Sequence, residues 1–297
     1  MKKSELVVKS NDLIKASYTL GLVEQRLILM AIVTARETGL GITADTLLEI
    51  RAMDYAQLFS VTKQAAYMAL SNAIETLFNR RATVQVYDER RKGLRSLTVR
   101  WVTAMDYEES MGLITLRFGH EVVPEITRLE ANFTSYELEQ VTGLKSAYAI
   151  RLYELLIQWR AAGKTPFFKI DVFRSQLGLT DGEYPRVEAF KRCILDLTVS
   201  QINEHTDITV AYEQHKAGRV ITGFTFSLKP KKQPKDVTPK TKPNPKSKNT
   251  GDGEIEALLK NKEWVSRHAQ TGESWEDARA RLRREAETGK FSLAPTN

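Results

Sequence analysis

Basic side chains recur on the outer face of one predicted helix about two thirds of the way along the chain. The buried face of this segment is predicted from its 3.6-residue spacing to comprise Val187, Phe190, Ile194, Leu197 and Thr198. Arg192 points away from that face, and Arg186 and Lys191 lie at its flanks. Arginine can donate two hydrogen bonds to the edge of one guanine, so a helix of this kind could read DNA bases. Surface ion pairs with Glu183 or Glu188 would use the same arginines.

Two strand-turn-strand segments carry further cations at their tips. The first tip has four cations around Gly93, namely Arg90, Arg91, Lys92 and Arg95. The second tip has His215, Lys216 and Arg219. Crowded cations repel one another unless they meet counter-charge, and DNA phosphates supply it. We therefore predict phosphate contacts here, although a loop that meets only water could have the same composition.

An earlier helical segment has the same organisation as the first. Thr62 is a suitable N-cap, and the core side is predicted to comprise Ala66, Leu70, Ala73, Ile74 and Leu77. The exposed side is predicted to comprise Lys63, Gln64, Tyr67 and Ser71. These four are candidate DNA contacts, and a solvated helix face is the alternative.

The elements that position these residues occur twice in the chain. The segment 55–62, YAQLFSVT, aligns by residue type with 173–180, FRSQLGLT, 118 positions later. A helical segment and then a strand, a basic turn and a strand follow each copy. A helix-turn-helix followed by a hairpin is the order of a winged helix, and a repeat this long indicates two related domains rather than a solenoid.

The sequence thus predicts an α+β fold, mainly α, with two tandem winged helix-turn-helix domains. We place an N-terminal winged-helix domain at residues 1–130 and a C-terminal one at 131–228. A disordered, Lys/Pro-rich basic linker is predicted at 229–253, because it has almost no apolar side chains. A short helical tail of unknown role is predicted at 254–297, either for docking a partner or with its helices packed together.

Composition limits the class of protein. The net charge is +7, but residues 229–250 alone hold eight lysines against one aspartate, so residues 1–228 are nearly neutral. Global charge is therefore weak evidence for DNA binding. The chain has no apolar run that predicts a membrane span or a signal peptide, which favours a cytoplasmic protein. One cysteine and four scattered histidines predict no disulfide, metal site, cofactor or catalytic site, so we expect no enzyme.

Three stretches together resemble the iteron-binding plasmid replication initiators of the RepE, RepA and Pi type. They are VVKSNDLIKASYTLGLVEQRLILMAI at 7–32, FTSYELEQVTGLKSAYAIRLYELLIQW at 133–159, and FRSQLGLTDGEYPRVEAFKRCILDLTVSQINEHTDITVAYEQHKAGRVITGFTFSL at 173–228. The third stretch is the most specific, since a helix that ends in asparagine is followed by a wing with Lys, Gly and Arg, in the order of the family. The resemblance covers about residues 5–228.

The resemblance implies a protein whose monomers bind direct repeats, called iterons, at a plasmid origin. Such proteins help to melt an adjacent AT-rich region and recruit the host replication initiator and helicase. Their dimers, in equilibrium with monomers and joined through the first domain, often repress their own gene. By the same resemblance, Arg186, Lys191 and Arg192 belong to the major-groove helix of the second domain, and the first-domain helix and wing contact the other part of the repeat.

Two other functional classes stay open on the sequence alone. A winged-helix transcriptional regulator without a replication role would bind only an inverted repeat, and no tandem repeats would lie beside its gene. A nicking enzyme of rolling-circle replication would need a tyrosine nucleophile and clustered histidines.

Overall fold

The structure, a computed structural model, describes residues 5–43, 45–88, 90, 92–127, 132–231, 276 and 279–283. The chain divides into two units, residues 1–235 and 236–297. In the second unit the described residues are helical, and Leu282 among them is buried. Nearly all of the predicted linker and most of the predicted tail lie outside the described residues.

Helices and short strands alternate through the first half of the chain. In order they are β1 (Leu6–Ser10), α1 (Asn11–Lys15), α2 (Leu22–Thr38), β2 (Leu48–Arg51), α3 (Ala52–Leu58), α4 (Lys63–Leu77), β3 (Arg81–Asp88), β4 (Gly93–Arg100), β5 (Val102–Glu108), β6 (Leu113–Phe118) and α5 (Val123–Thr127).

The second half repeats that alternation. In order the elements are β7 (Phe133–Glu137), α6 (Glu139–Thr142), α7 (Ala147–Ile157), β8 (Phe168–Lys169), α8 (Ile170–Leu177), α9 (Val187–Phe190), a π-helical segment (Lys191–Leu195), α10 (Asp196–His205), β9 (Ile208–Ala217) and β10 (Val220–Pro230).

Both predicted helix-turn-helix motifs are present, and each is followed by strands. In the first winged helix, β2 to β6, helices α3 and α4 form the motif and a three-stranded sheet has the order β2-β6-β5. In the second winged helix, β8 to β10, α8 precedes the turn and the helix from α9 to α10 follows it. Its sheet has the order β8-β10-β9. The aligned residues Tyr55 and Phe173 are both buried, which fits their matching places in the two motifs.

The two sheets correct one part of the predicted repeat. The sequence alignment matched the basic hairpin β3–β4 with β9–β10. The structure shows that β5–β6 is the counterpart of β9–β10, because in each winged helix the strand before the motif pairs with the last strand. The hairpin β3–β4 forms a separate two-stranded sheet between α4 and β5. It is an addition to the winged helix rather than its repeated wing.

A π-helical segment changes the buried face predicted for the helix after the second turn. Phe190 and Ile194 are buried as predicted, but Leu197 is 56% exposed. A π-helix closes its hydrogen bonds one residue later than an α-helix, so the extra residue rotates the helix beyond it. Leu195 at the end of the segment is buried, as are Thr198, which was predicted, and Ile202. The prediction for Leu197 is wrong.

The first strand that the structure describes pairs with a strand that is far away in the sequence. β1 pairs antiparallel with β7 over its whole length, from Leu6 opposite Glu137 to Ser10 opposite Phe133. The boundary between residues 130 and 131 stays a prediction, and β7 lies on its C-terminal side. Helices α2 and α7 are buried on most of their faces, as predicted, and form the centre of the core.

Candidate nucleic-acid interface

The turn of the second helix-turn-helix is held by one arginine. The Arg174 guanidinium donates to the backbone carbonyl oxygens of Glu183 and Tyr184 and lies 5.1 Å from the Phe190 ring. Phe190 in turn packs against Phe173 in the core. The turn therefore has a fixed path, and it delivers Arg186 to the N-cap position of α9.

Arg186 and Arg192 are the two exposed cations of the helix that follows this turn. Within the described part of the chain neither side chain forms an ion pair or a hydrogen bond. The two arginines therefore do not form the alternative ion pairs with Glu183 or Glu188. Instead, the Glu183 carboxylate accepts a hydrogen bond from the backbone N–H of Thr180, 2.6 Å away. Both arginines are exposed to solvent and could bond a base edge.

Lys191 has a different environment from the two arginines. Its Nζ donates to Oε1 of Gln214, 2.7 Å away, and lies 5.7 Å from the Tyr212 ring. The Tyr212 hydroxyl donates to Oδ1 of Asp196 at 2.5 Å. Burial and the Asp196 carboxylate both raise the pKa of Tyr212, so this hydroxyl stays protonated near neutral pH. These bonds fasten the helix to β9, which places Lys191 between the helix and the second wing.

Three residues of the second wing are predicted DNA contacts, and one of them, His215, is bonded within the protein. Nε2 of His215 lies 2.7 Å from Oγ1 of Thr225, and its ring packs edge-on against Phe167 at 5.4 Å. Lys216 and Arg219 flank Gly218, whose φ of +62° makes the tight tip. Both cations are exposed, and neither has a hydrogen-bond or ion-pair partner among the residues that the structure describes.

Helix α4 presents three of its four predicted contacts to solvent. Lys63, Gln64 and Ser71 are exposed, and the Thr62 hydroxyl caps the helix by accepting from the Ala65 N–H. Tyr67 differs from the prediction because it is half-buried. Its ring occupies the space beside Gly112 where a side chain would otherwise stand. Tyr67 therefore packs α4 against the hairpin β5–β6.

The additional hairpin β3–β4 brings its described cations together at one tip. Arg90 and Lys92 lie in the turn, and Nε of Arg95 is 3.7 Å from Oδ2 of Asp88. The fourth predicted contact, Arg91, lies outside the described residues. Three exposed cations on one tip could bind phosphates, which is the chemistry expected of them.

A buried ionic cluster was missed by the sequence reasoning. Nζ of Lys9 lies 2.6 Å from Oε1 of Glu154, and Nη1 of Arg151 lies 3.2 Å from Oε2. The Tyr136 hydroxyl donates to Oε1 at 2.7 Å, and all four side chains are buried. One signal was available: Arg151 and Glu154 interrupt an otherwise apolar helix, three residues apart.

Neither metal-binding clusters nor membrane-spanning helices are found in the ranges that the structure describes. No group of three or more His, Cys, Asp or Glu side chains there is arranged to hold a metal ion. None of the described helices has the length and apolar character needed to cross a bilayer.

Comparisons with known proteins agree with the paired winged helices. The family model described as "Initiator Replication protein, WH1" matches residues 6–157, and the one described as "Initiator Rep protein, WH2" matches residues 169–228. Together they cover more than half of the chain.

Two relatives from Escherichia coli are similar at low identity. A "Replication initiation protein" is 26% identical over 241 residues, which span 79% of this chain and 73% of that protein. A "PI protein" is 24% identical over 208 residues, which span 61% of this chain and 68% of that one. The crystal structure of Pi initiator protein in complex with iteron DNA is similar in fold, with a TM-score of 0.61 and 23% identity. That match covers 77% of this chain and 98% of that one.

Proposed function

Since this chain belongs to the family of initiator replication proteins with WH1 and WH2 domains, we propose that it starts plasmid replication by binding direct repeats at the origin. Family membership makes it a DNA-binding replication initiator. We propose that its chemistry is recognition rather than catalysis, and we place it in the cytoplasm with its plasmid. The relative whose structure was solved with iteron DNA supports direct repeats as the target.

One observation carries the assignment of roles. Arg186 and Arg192 are exposed on the helix of the second helix-turn-helix, and neither has a partner among the described residues. Bidentate arginine is the commonest specific contact to guanine, so we assign base reading to these two. We assign phosphate contacts to the tips at Lys216, Arg219 and the β3–β4 cations, because lysine and hairpin arginines position a protein without reading sequence.

A further set of activities is part of the same proposal. Monomers occupy the repeats, promote melting of adjacent DNA and recruit the host initiator and helicase. Dimers, formed through the N-terminal domain (residues 1–130), bind an inverted repeat and repress the gene. These steps are supported by the resemblance of the chain to iteron-binding initiators, in which they occur together.

The deciding experiment is binding of the purified full chain to DNA from upstream of its own gene. We expect protection of several direct repeats, and we expect retention of the plasmid to depend on them. Protection of an inverted repeat alone would instead favour a transcriptional regulator. Incubation with supercoiled origin DNA and a divalent metal is expected to give no nick, and a nick would contradict the proposal that the protein is not an enzyme.

Lys216→Ala is expected to weaken binding to the repeat and to random duplex by the same factor. Lys216 lies at a hairpin tip and, among the described residues, has no protein partner to lose, so the change removes a phosphate contact alone. The slope of log affinity against log salt should fall by about 1. Titrations at several salt concentrations measure both quantities. A loss confined to the specific repeat would contradict the phosphate role.

A further inference from the structure

One short segment of the chain touches both the hairpin β3–β4, added to the first winged helix, and the helix-turn-helix of the second. We call residues 14–19, which run from the end of α1 towards α2, the arch. On one side, the Ser17 N–H donates to the Thr83 carbonyl at 3.0 Å, and the Thr83 N–H donates to the Ser17 carbonyl at 2.8 Å. Thr83 lies in β3, the strand that leads to the basic hairpin tip. The arch is therefore bonded to the strand that carries the first set of cations.

The other side of the arch contacts the helix-turn-helix of the second winged helix. Oγ of Ser17 lies 2.8 Å from Oγ of Ser175 and 3.3 Å from the Ser175 carbonyl oxygen. Oγ1 of Thr19 donates to the carbonyl oxygen of Gly178 at 2.9 Å. Ser175 is in the last turn of α8, and Gly178 ends that helix. The contacts reach the start of the turn that positions Arg186.

Gly178 lies where the backbone of the arch and the end of α8 approach each other closely. Its φ is +88°, and a Cβ added there would lie 2.6 Å from the carbonyl oxygen of Tyr18. Residues with a side chain rarely adopt this φ, and the space for one is already filled by the arch. Glycine at this position therefore permits direct contact between the backbone of the arch and the backbone of the turn.

The buried side chain of Arg151 binds both the arch and the second winged helix. Its Nη2 donates to the carbonyl oxygens of Ile14, Ala16 and Gln176, at 2.9, 3.0 and 2.6 Å. Its guanidinium carbon lies 3.9 Å from the centre of the Tyr18 ring. Gln176 belongs to α8, so one buried cation binds three backbone carbonyls on both sides of the contact. Separating the two would leave buried carbonyl oxygens and N–H groups of Arg151 without a partner, which is costly.

We propose that the arch holds the two winged helices in one fixed arrangement, called here the rigid reader. This arrangement fixes the number of base pairs between the DNA contacts of the first winged helix and those of the second. This inference rests on the proposed function. One inserted base pair moves the second contact region by about 3.4 Å and rotates it by about a tenth of a turn. A reader joined by the arch can follow that displacement only by breaking the contacts of Ser17, Thr19 and Arg151.

The test compares repeats of native spacing with repeats that carry one inserted base pair between the two protected regions. The full chain is expected to bind the inserted repeat about 100-fold more weakly than the native one, since contacts from one winged helix are lost. In Ser17→Ala/Thr19→Val the ratio should fall to about tenfold, because three hydrogen bonds of the arch are absent while its backbone bonds to Thr83 and the contacts of Arg151 remain. The ratio, rather than affinity alone, reports rigidity.

A matched control and a milder variant make the result decisive. Thr98→Val removes a hydrogen bond of 3.1 Å to Oγ1 of Thr83 but leaves the backbone bonds between Thr83 and Ser17 in place. It should keep the wild-type ratio. Thr19→Val alone removes one arch bond and should give an intermediate ratio. This variant serves as the test if the double variant does not fold.

The outcomes separate the inference from the function on which it rests. Failure of the wild type to bind the native repeat would overturn the proposed function and this inference with it. Binding of native and inserted repeats with equal affinity would overturn the rigid reader alone. The rigid reader is likewise overturned if folded arch variants keep the wild-type ratio.

Discussion

Glu154→Gln is expected to lower the free energy of unfolding by about 3 to 5 kcal/mol, because it removes one partner from a buried ion pair. Glu154 is fully buried and accepts from Lys9, Arg151 and Tyr136. The amide retains the shape but not the charge, so the two cations would remain in the interior without a carboxylate. Denaturant unfolding followed by circular dichroism measures the change.

The same carboxylate predicts how stability depends on pH. Burial by itself raises the pKa of Glu154, but Lys9 and Arg151 outweigh it and hold the pKa below its ordinary value of 4.5. The stabilisation is therefore fully present above pH 4.5 and is lost as the pH falls through the lowered pKa of the folded state. Glu154→Gln should flatten that acid limb of the stability curve.

Asp171→Asn is the matched control, since it neutralises a carboxylate in an exposed ion pair. Oδ2 of Asp171 lies 3.9 Å from Nζ of Lys169, and both side chains are mostly exposed. Exposed pairs contribute about 0 to 1 kcal/mol, so its unfolding free energy should change little. If the two variants lost stability equally, the buried cluster would not have the role assigned to it.

Arg192→Ala is expected to reduce affinity for the direct repeat by about 1 to 3 kcal/mol and to relax preference at one base pair. The reason is the loss of a bidentate contact to a base edge from an exposed side chain. Because Arg192 has no partner within the described ranges, the fold should be unaffected. Binding to a panel of repeats, each with one substituted base pair, measures both effects.

The contrast with Lys216→Ala decides whether the roles are correctly divided. Arg192→Ala should leave affinity for random duplex nearly unchanged, whereas Lys216→Ala should lower it as much as affinity for the repeat. Equal effects of the two variants on specific and random DNA would refute the assignment of base reading to Arg192.

Local patterns predicted the helices and the positions of both helix-turn-helix motifs. Apolar spacing located α2, α4 and α7, and the Thr62 cap starts α4 at Lys63 as expected. Residues of matching type in two copies also put Tyr55 and Phe173 in equivalent buried places. These features depend on neighbours within a few turns of chain, which is the range that sequence periodicity reports.

Features set by distant contacts were not predictable in the same way. The counterpart of the second wing depends on pairing between Leu48 and Leu116, 68 positions apart, and two hairpins of similar sequence pattern competed for that place. The exposure of Leu197 follows from a π-helical segment that does not show in the spacing of apolar residues. The partners of Glu154 come from β1 and β7, so only the assembled fold reveals that cluster.

The bond between Lys9 and Glu154 joins residues 145 positions apart, which has a consequence during protein synthesis. β1 leaves the ribosome before its partners β7 and α7, which are made more than a hundred residues later. At 5 to 20 residues per second, that delay is roughly 7 to 30 s. A lysine destined for the interior therefore stays in water throughout that interval, and the buried cluster can be completed only after α7 has been made.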